Sequence, residues 1–348
     1  MDRQAIRWAI IGTGGIARRF ASDLRFSRTG TLVAVGGRSP EKAAGLAAAA
    51  GAAVSGAIEA VIARPDVDAV YVATPNAAHV ELALKVLAAG KPVLVEKPLA
   101  TSAAGARAIA EAAGDAGLLA MEAMWMRFTP GIVRLKQLVD AGAIGEIRRI
   151  EAGLAYASRY APDDPLFDPV SGGALLDLAV YPASLAVHLA GPADATAGQL
   201  RRYPNGAVAA ATLATRHGDV LAGLSCGLDA EGPNEAAITG TAGVIALHRS
   251  MLCPPMLSLR KMPPAPVKSP GEAGAPLPRR SRPTRLAALR QIASGLKVRR
   301  IPTLFEGTGL QYQADHFAEC LARGLTDSPV MPLADSIAVL EILEAAAA

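Results

Sequence analysis

Cysteine is scarce: Cys226, Cys253 and Cys320 are the only three in 348 residues, and their wide, odd-numbered spacing excludes a disulfide framework or a zinc knuckle. The five histidines contain no His-x-x-x-His pair, so a metal centre would need ligands gathered from distant segments, and none is expected. No apolar run is long enough to span a bilayer, and Met1-Asp2-Arg3-Gln4 leads into the first apolar run without the regions of a secretion signal. The chain is therefore expected to be cytoplasmic, with no membrane span. Aromatics make up 4% of the residues and do not interleave with the basic ones, which argues against nucleic acid as a partner. Charged residues are also few, at 19%, whereas 51% are hydrophobic, enough at this length for two sizeable cores.

The net charge of +4 is unevenly spread. Residues 260–300 hold eleven Lys or Arg and one acid, Glu272, so this stretch carries +10 and the remainder −6. It coincides with a Pro-rich run, Met262-Pro263-Pro264-Ala265-Pro266 through Pro283, which cannot form continuous helix or central strand. A solvated excursion over about 260–303 is expected, with a partner arm as the other reading.

From Ile6 to Met121, short apolar runs alternate with Ala-rich helical segments, the pattern of repeated βαβ units. Strands are predicted at 6–11, 31–35, 69–73, 92–96 and 118–121, with helices near 16–24, 41–50, 78–89 and 102–116. After Trp125-Met126-Arg127-Phe128 the character changes. A helix near 131–141 leads into strand-like runs at 147–155, 193–199, 207–214, 220–223, 236–240 and 244–247. Strands in succession predict a largely antiparallel sheet, and helices at 311–323 and 334–346 close the chain. The expected fold is an α/β Rossmann domain, residues 1–122, followed by an α+β substrate and dimerisation domain, residues 123–348, with an open-faced sheet. The terminal helices either cover that sheet or return to the first domain.

Gly12-Thr13-Gly14-Gly15-Ile16-Ala17 has the form G-x-G-x-x-A, follows an apolar strand and opens a helix, the context that makes it a dinucleotide-binding signature. An acid at the end of the second strand would hold the ribose 2′-hydroxyl of NAD. The chain reads Gly36-Gly37-Arg38-Ser39 there, which suits a 2′-phosphate and so NADP(H) over NAD(H). Pro92-Val93-Leu94-Val95-Glu96-Lys97-Pro98 delivers Glu96 and Lys97 to the carboxyl end of a strand, where the cofactor crevice of a parallel sheet lies, and Pro98 forces the chain to turn there. Thr74, Pro75 and Asn76 follow another strand and would line the nicotinamide side; Asn76 equally suits a helix N-cap. His79, in the first turn of that helix, is read as packing or surface. In Gly172-Gly173-Ala174-Leu175-Leu176-Asp177-Leu178-Ala179-Val180-Tyr181-Pro182, a helix would put Asp177 and Tyr181 one turn apart on one face, beside a proline that removes a backbone hydrogen bond.

The glycine signature, Glu96-Lys97-Pro98, Glu122 through Phe128 and Gly172 through Tyr181 together resemble the Gfo/Idh/MocA oxidoreductases, most nearly the dimeric dihydrodiol dehydrogenase and glucose-fructose oxidoreductase branch. The likeness runs from Ile6 to Leu343 apart from the basic stretch. It implies NADP(H), catalytic Lys97 and Tyr181, Asp177 close to the substrate, and Trp125 and Arg127 near the nicotinamide. It also implies a homodimer, in keeping with an antiparallel sheet that has one face free. Ala179 departs from the usual Gly, Ser171 begins the glycine run, and Pro165 precedes Leu166-Phe167-Asp168 where Arg is frequent. These departures bear on the substrate pocket more than on the chemistry.

Hydride transfer at a carbinol carbon needs a group that exchanges the hydroxyl proton. Tyr181 is the expected group, with the Lys97 ammonium lowering its pKa, although the reverse assignment stays open. A polyol, a sugar-like hydroxyketone or a cyclic dihydrodiol would match Asp177, Arg127 and Tyr181. Two rival readings are a glycoside-cleaving enzyme that retains its dinucleotide and a non-catalytic NADP-binding regulator.

Overall fold

The computed structural model describes residues 5–262 and 298–348, so most of the basic Pro-rich excursion expected at about 260–303 lies outside the described residues. Six parallel strands form the first sheet: β1 Ile6–Ile11, β2 Gly30–Gly36, β3 Val54–Gly56, β4 Ala69–Val72, β5 Val93–Glu96 and β6 Ala120–Ala123. Their order is β3-β2-β1-β4-β5-β6. All four residues of β4, of β5 and of β6 are buried, because the connecting helices cover both faces of the sheet. Those helices are α1 Gly15–Asp23, α2 Pro40–Ala50, α3 Ile58–Ile62, α4 His79–Ala88 and α5 Ala103–Ala116. Ser102 caps α5 by accepting the Gly105 N–H at 3.1 Å, and Gly117 ends it at φ 64, the left-handed value that glycine tolerates. Strand β3 and helix α3 were not expected. Three residues are too few to show a period of two, and Gly56 and the short Ile58–Ile62 turn mask the unit.

Helix α6, Pro130–Asp140, leads to the second sheet, whose described strands are β7 Ile147–Ala155, β8 Ala195–Arg202, β9 Val208–His217, β10 Val220–Gly227, β11 Ala236–Gly240, β12 Gly243–Leu247, β13 Met256–Lys261 and β14 Arg299–Pro302. The order is β14-β13-β12-β11-β7-β10-β9-β8, and every pair is antiparallel except β7 with β10. Buried and exposed residues alternate along β9 and β10, so one face of the sheet meets a core and the other meets solvent. Strands β13 and β14 extend the sheet beyond expectation; they flank the Pro-rich run, whose composition hid them.

Helix α7, Val180–Ala190, packs on the inner face. The closing helix Leu333–Ala347 returns to the first domain: Leu333 and Leu340 join the core beneath α5, and the Ala103 N–H donates to Glu344 Oε1 at 2.8 Å. Helix Leu310–Ala322 also reaches back, with Phe317 against Trp8 of β1. No described helix is long and apolar enough to cross a membrane.

Candidate active site

The strand order reverses direction between β1 and β4, and a crevice opens at their carboxyl ends. Gly12 sits there at φ 123, where a Cβ would stand 2.0 Å from the Ala73 carbonyl oxygen, so no other residue fits the turn. Gly14 and Gly15 have open space where a Cβ would be. Gly14 caps α1 without a side-chain hydrogen bond, leaving the first N–H groups of the helix facing that space. Thr13 packs its methyl against Gly37, and Ile16 lines the cleft beside the loop. Arg38 is exposed beyond β2, while Ser39 caps α2 by accepting the Lys42 N–H at 3.3 Å. Thr74 Oγ1, just beyond the end of β4, is buried and lacks a hydrogen-bond partner among the described residues. An open ledge of helix donors, a buried hydroxyl with no partner among the described residues and an exposed cation are the features a dinucleotide requires, and these residues fit one.

A cleft of about 500 Å³ runs from this ledge to the second domain. Lys97, at the end of β5, donates from Nζ to Asp177 Oδ1 at 2.7 Å and to the Asp177 carbonyl at 2.9 Å. The same ammonium lies 5.1 Å from the centroid of the Tyr181 ring. Burial opposes the charge on Lys97, but Tyr181 and Asp177 outweigh it, and its pKa is raised. For Tyr181 burial is the largest influence and exceeds the pull of Lys97, so the phenol is pushed up to about 12. The expected lowering of the tyrosine pKa is thus reversed, because only 6% of the residue is exposed and phenolate is poorly solvated there.

Asp177 and Tyr181 do share one face, although the helix carrying them is irregular. Residues Leu175–Ala179 form a π-helical turn that continues into α7. Pro182 has no N–H and its ring crowds the Leu178 carbonyl, which favours the wider turn over a simple kink. Upstream, a Cβ on Gly172 would stand 2.5 Å from the Pro165 carbonyl, and Gly173, at φ 76, lies against Val208. The glycine run therefore lets this helix start close to its neighbours.

Other expected site residues take different places. Asn76 is not a cap; its Nδ2 donates to the Ser171 carbonyl at 2.8 Å, joining the first domain to the second at the cleft. Pro75 precedes it as the residue that starts a short 3-10 turn. Glu96 faces the floor of the cleft, where it accepts from the Tyr71 hydroxyl and from the Lys97 N–H at 3.1 Å, and burial raises its pKa to about 7. His79 is buried, its ring nitrogens 2.8 and 2.9 Å from the Pro98 and Thr74 carbonyls, as a packing role implies. Arg127, expected near the nicotinamide, does not line the cleft. Its fully buried guanidinium donates to Ser184 Oγ and to the Ser184 carbonyl, each at 2.9 Å, and pairs with Asp335. Every one of these partners lies on α7 or the C-terminal segment, so the side chain braces the domain interior. Trp125 does line the cleft, where its Nε1 donates to Tyr181 Oη at 3.1 Å.

Arg19, Leu154, Tyr156, Leu178, Leu252, Thr308 and Leu310 complete the walls and were not anticipated. Tyr156 directly follows β7, a strand-end position that carries some signal. Leu252 and Thr308 come from loops far apart in sequence and carry none.

Two family models match the chain: "Oxidoreductase family, NAD-binding Rossmann fold" over residues 6–124, and "GFO/IDH/MocA C-terminal domain" over residues 132–246. Among curated relatives, the trans-1,2-dihydrobenzene-1,2-diol dehydrogenase of Mus musculus is 29% identical, covering 98% of this chain and 96% of its own. The enzyme of that name from Oryctolagus cuniculus is 31% identical over 83% of this chain and 80% of its own. Among solved structures, levoglucosan dehydrogenase in complex with NADH and levoglucosan superposes with a TM-score of 0.80 at 22% identity, over 99% of this chain and 96% of that one. KijD10, a 3-ketoreductase from Actinomadura kijaniata in complex with TDP-benzene and NADP, superposes with a TM-score of 0.76 at 24% identity, over 99% and 97%.

Proposed function

Because the chain belongs to the GFO/IDH/MocA oxidoreductase family and acts on CH–OH groups, we propose that it is an NADP(H)-preferring enzyme whose substrate is a polyol, a sugar-like hydroxyketone or a cyclic dihydrodiol. The observation that carries this reading is the convergence of Lys97, Asp177 and Tyr181 on the cleft beside the glycine ledge.

Gly12 to Ile16 and the N-terminus of α1 would hold the pyrophosphate, Arg38 and Ser39 the 2′-phosphate, and Thr74, Pro75 and Trp125 the nicotinamide side. Bound NADP(H) supplies the hydride acceptor or donor. Tyr181 moves the proton at the substrate oxygen, giving it up in reduction and taking it in oxidation. Lys97 stays an ammonium, steadies the phenolate that remains when the proton leaves, and polarises the same oxygen. Asp177 fixes Lys97 with one carboxylate oxygen and leaves the other for a second substrate hydroxyl, which is why a diol or polyol suits the cleft. A panel of polyols, aldoses, hydroxyketones and dihydrodiols, followed by NADPH absorbance in both directions, tests the reading. Glycoside cleavage without net NADPH change, or silence across the whole panel with bound NADP, would overturn it.

The cofactor preference rests on Arg38. A charge-assisted hydrogen bond contributes about 1.5 to 3 kcal/mol, so Arg38→Ala should weaken NADP binding roughly 10- to 150-fold and leave NAD nearly unchanged. Calorimetric titration with both cofactors checks this; equal losses would remove the 2′-phosphate assignment.

A homodimer through the open face of the second sheet belongs to the same reading. Ala197, Gln199, Thr212, Ala214, Gly223 and Ser225 point outward from β8, β9 and β10, and Leu221 is 56% exposed among them. Small side chains on a sheet face allow close approach of a second copy. Light scattering at micromolar concentration should give twice the chain mass of 35.6 kDa. A monomer would overturn the assignment.

A further inference from the structure

Tyr181 has a neighbour whose chemistry allows a single role. An indole N–H donates and never accepts, so in the 3.1 Å contact between Trp125 Nε1 and Tyr181 Oη the phenol oxygen must be the acceptor. The two rings meet edge to face, 78° apart with centroids 6.5 Å from each other. With that lone pair engaged, the hydroxyl proton turns away from the indole and toward the cleft that Tyr181 lines. Lys97 stands over the ring while its ammonium is bonded to Asp177, so the indole is the donor that the oxygen meets directly among the described residues.

Trp125 is itself held from the cofactor domain. Gly309, at φ +105, lies beneath the indole, where a Cβ would come within 3.3 Å of Cε3 and Cζ3. On either side of Gly309, the N–H groups of Thr308 and Leu310 donate to Asp23 Oδ2 at 2.9 and 3.0 Å, and Thr308 Oγ1 donates to the same oxygen at 2.7 Å. Asp23 is 2% exposed and is the last residue of α1, the helix that opens at the glycine loop. The element that would seat the pyrophosphate therefore also anchors the turn on which the indole rests.

We propose that Trp125 is a positioning residue for proton transfer at Tyr181. It aims the hydroxyl proton at the substrate oxygen and, as the tyrosine O–H bond breaks and the substrate O–H bond forms in reduction, it donates to the phenolate left behind. In oxidation the same donor stabilises the phenolate that accepts the substrate proton. This inference rests on the proton-transfer role of Tyr181 stated above.

Trp125→Phe keeps an aromatic ring and removes the donor. At saturating NADPH and substrate the single-turnover rate should fall about 10- to 100-fold, a loss in the chemical step separate from any change that the smaller ring makes to NADPH affinity or substrate KM. In a Tyr181→Phe background the same substitution should cost nothing further, because the indole acts through the phenol. If Trp125→Phe does not fold, the proposal is read from the Trp125 indole resonance in Tyr181→Phe, a variant that leaves the tryptophan in place. A readout independent of turnover is the indole ¹⁵N–¹H spectrum of the protein without cofactor. The chain has two tryptophans, and Trp8 Nε1 has no hydrogen-bond partner among the described residues, so the Trp125 resonance should be the one that shifts in Tyr181→Phe. Additive losses in the double variant, or an unmoved Trp125 resonance, overturn the positioning role alone. A near-normal rate in Tyr181→Phe overturns the proton role of the tyrosine as well.

Discussion

Tyr181→Phe is expected to lower the single-turnover hydride-transfer rate about 10²- to 10⁴-fold, the range that general acid-base catalysis contributes, with NADPH affinity nearly unchanged. In the proposed mechanism the phenol hydroxyl serves the substrate oxygen and the glycine ledge serves the pyrophosphate, which separates the two effects. Lys97→Met should fall to a similar level, and the double variant should be little worse than either, since the proposed mechanism has the ammonium and the phenol acting as one unit on one oxygen. Fully additive losses would show that they serve separate steps, and near-normal transfer in Tyr181→Phe would reject the relay. The pH behaviour follows from burial. With the phenol pushed up to about 12 and the ammonium pKa raised, both groups keep their protons through neutral pH. Carbonyl reduction should therefore show no falling limb from either group until strongly alkaline pH.

Arg127→Met is expected to cost about 3 kcal/mol of stability, the lower end of what breaking a buried ion pair costs, because Asp335 keeps some solvent while the Ser184 carbonyl loses its donor. Urea unfolding measures it, and NADP affinity of the folded variant should match that of the unaltered chain. A selective loss of NADP binding without loss of stability would return Arg127 to the nicotinamide pocket. The sequence placed Arg127 beside Trp125, two residues away on the same segment. The short 3-10 turn Trp125–Phe128 sends the indole into the cleft and the guanidinium into the interior, a divergence that no spacing rule foretells.

Local patterning by itself determined the parallel sheet, the glycine ledge, the cation after β2 and the lysine at the end of β5, because each depends on residues adjacent in sequence and on the period of a strand or helix. Asp177 and Tyr181 were also legible as a pair, since they lie one turn apart. The tertiary structure alone decided which groups meet. Lys97 pairs with Asp177 across 80 residues, Asn76 with Ser171 across 95, and Asp23 with Thr308 across 285, and such contacts follow from the packing of whole elements. It also decided the direction of the Tyr181 pKa: the resemblance implies a cation nearby, but only packing shows how little water surrounds the phenol, and desolvation prevails over the neighbouring charge.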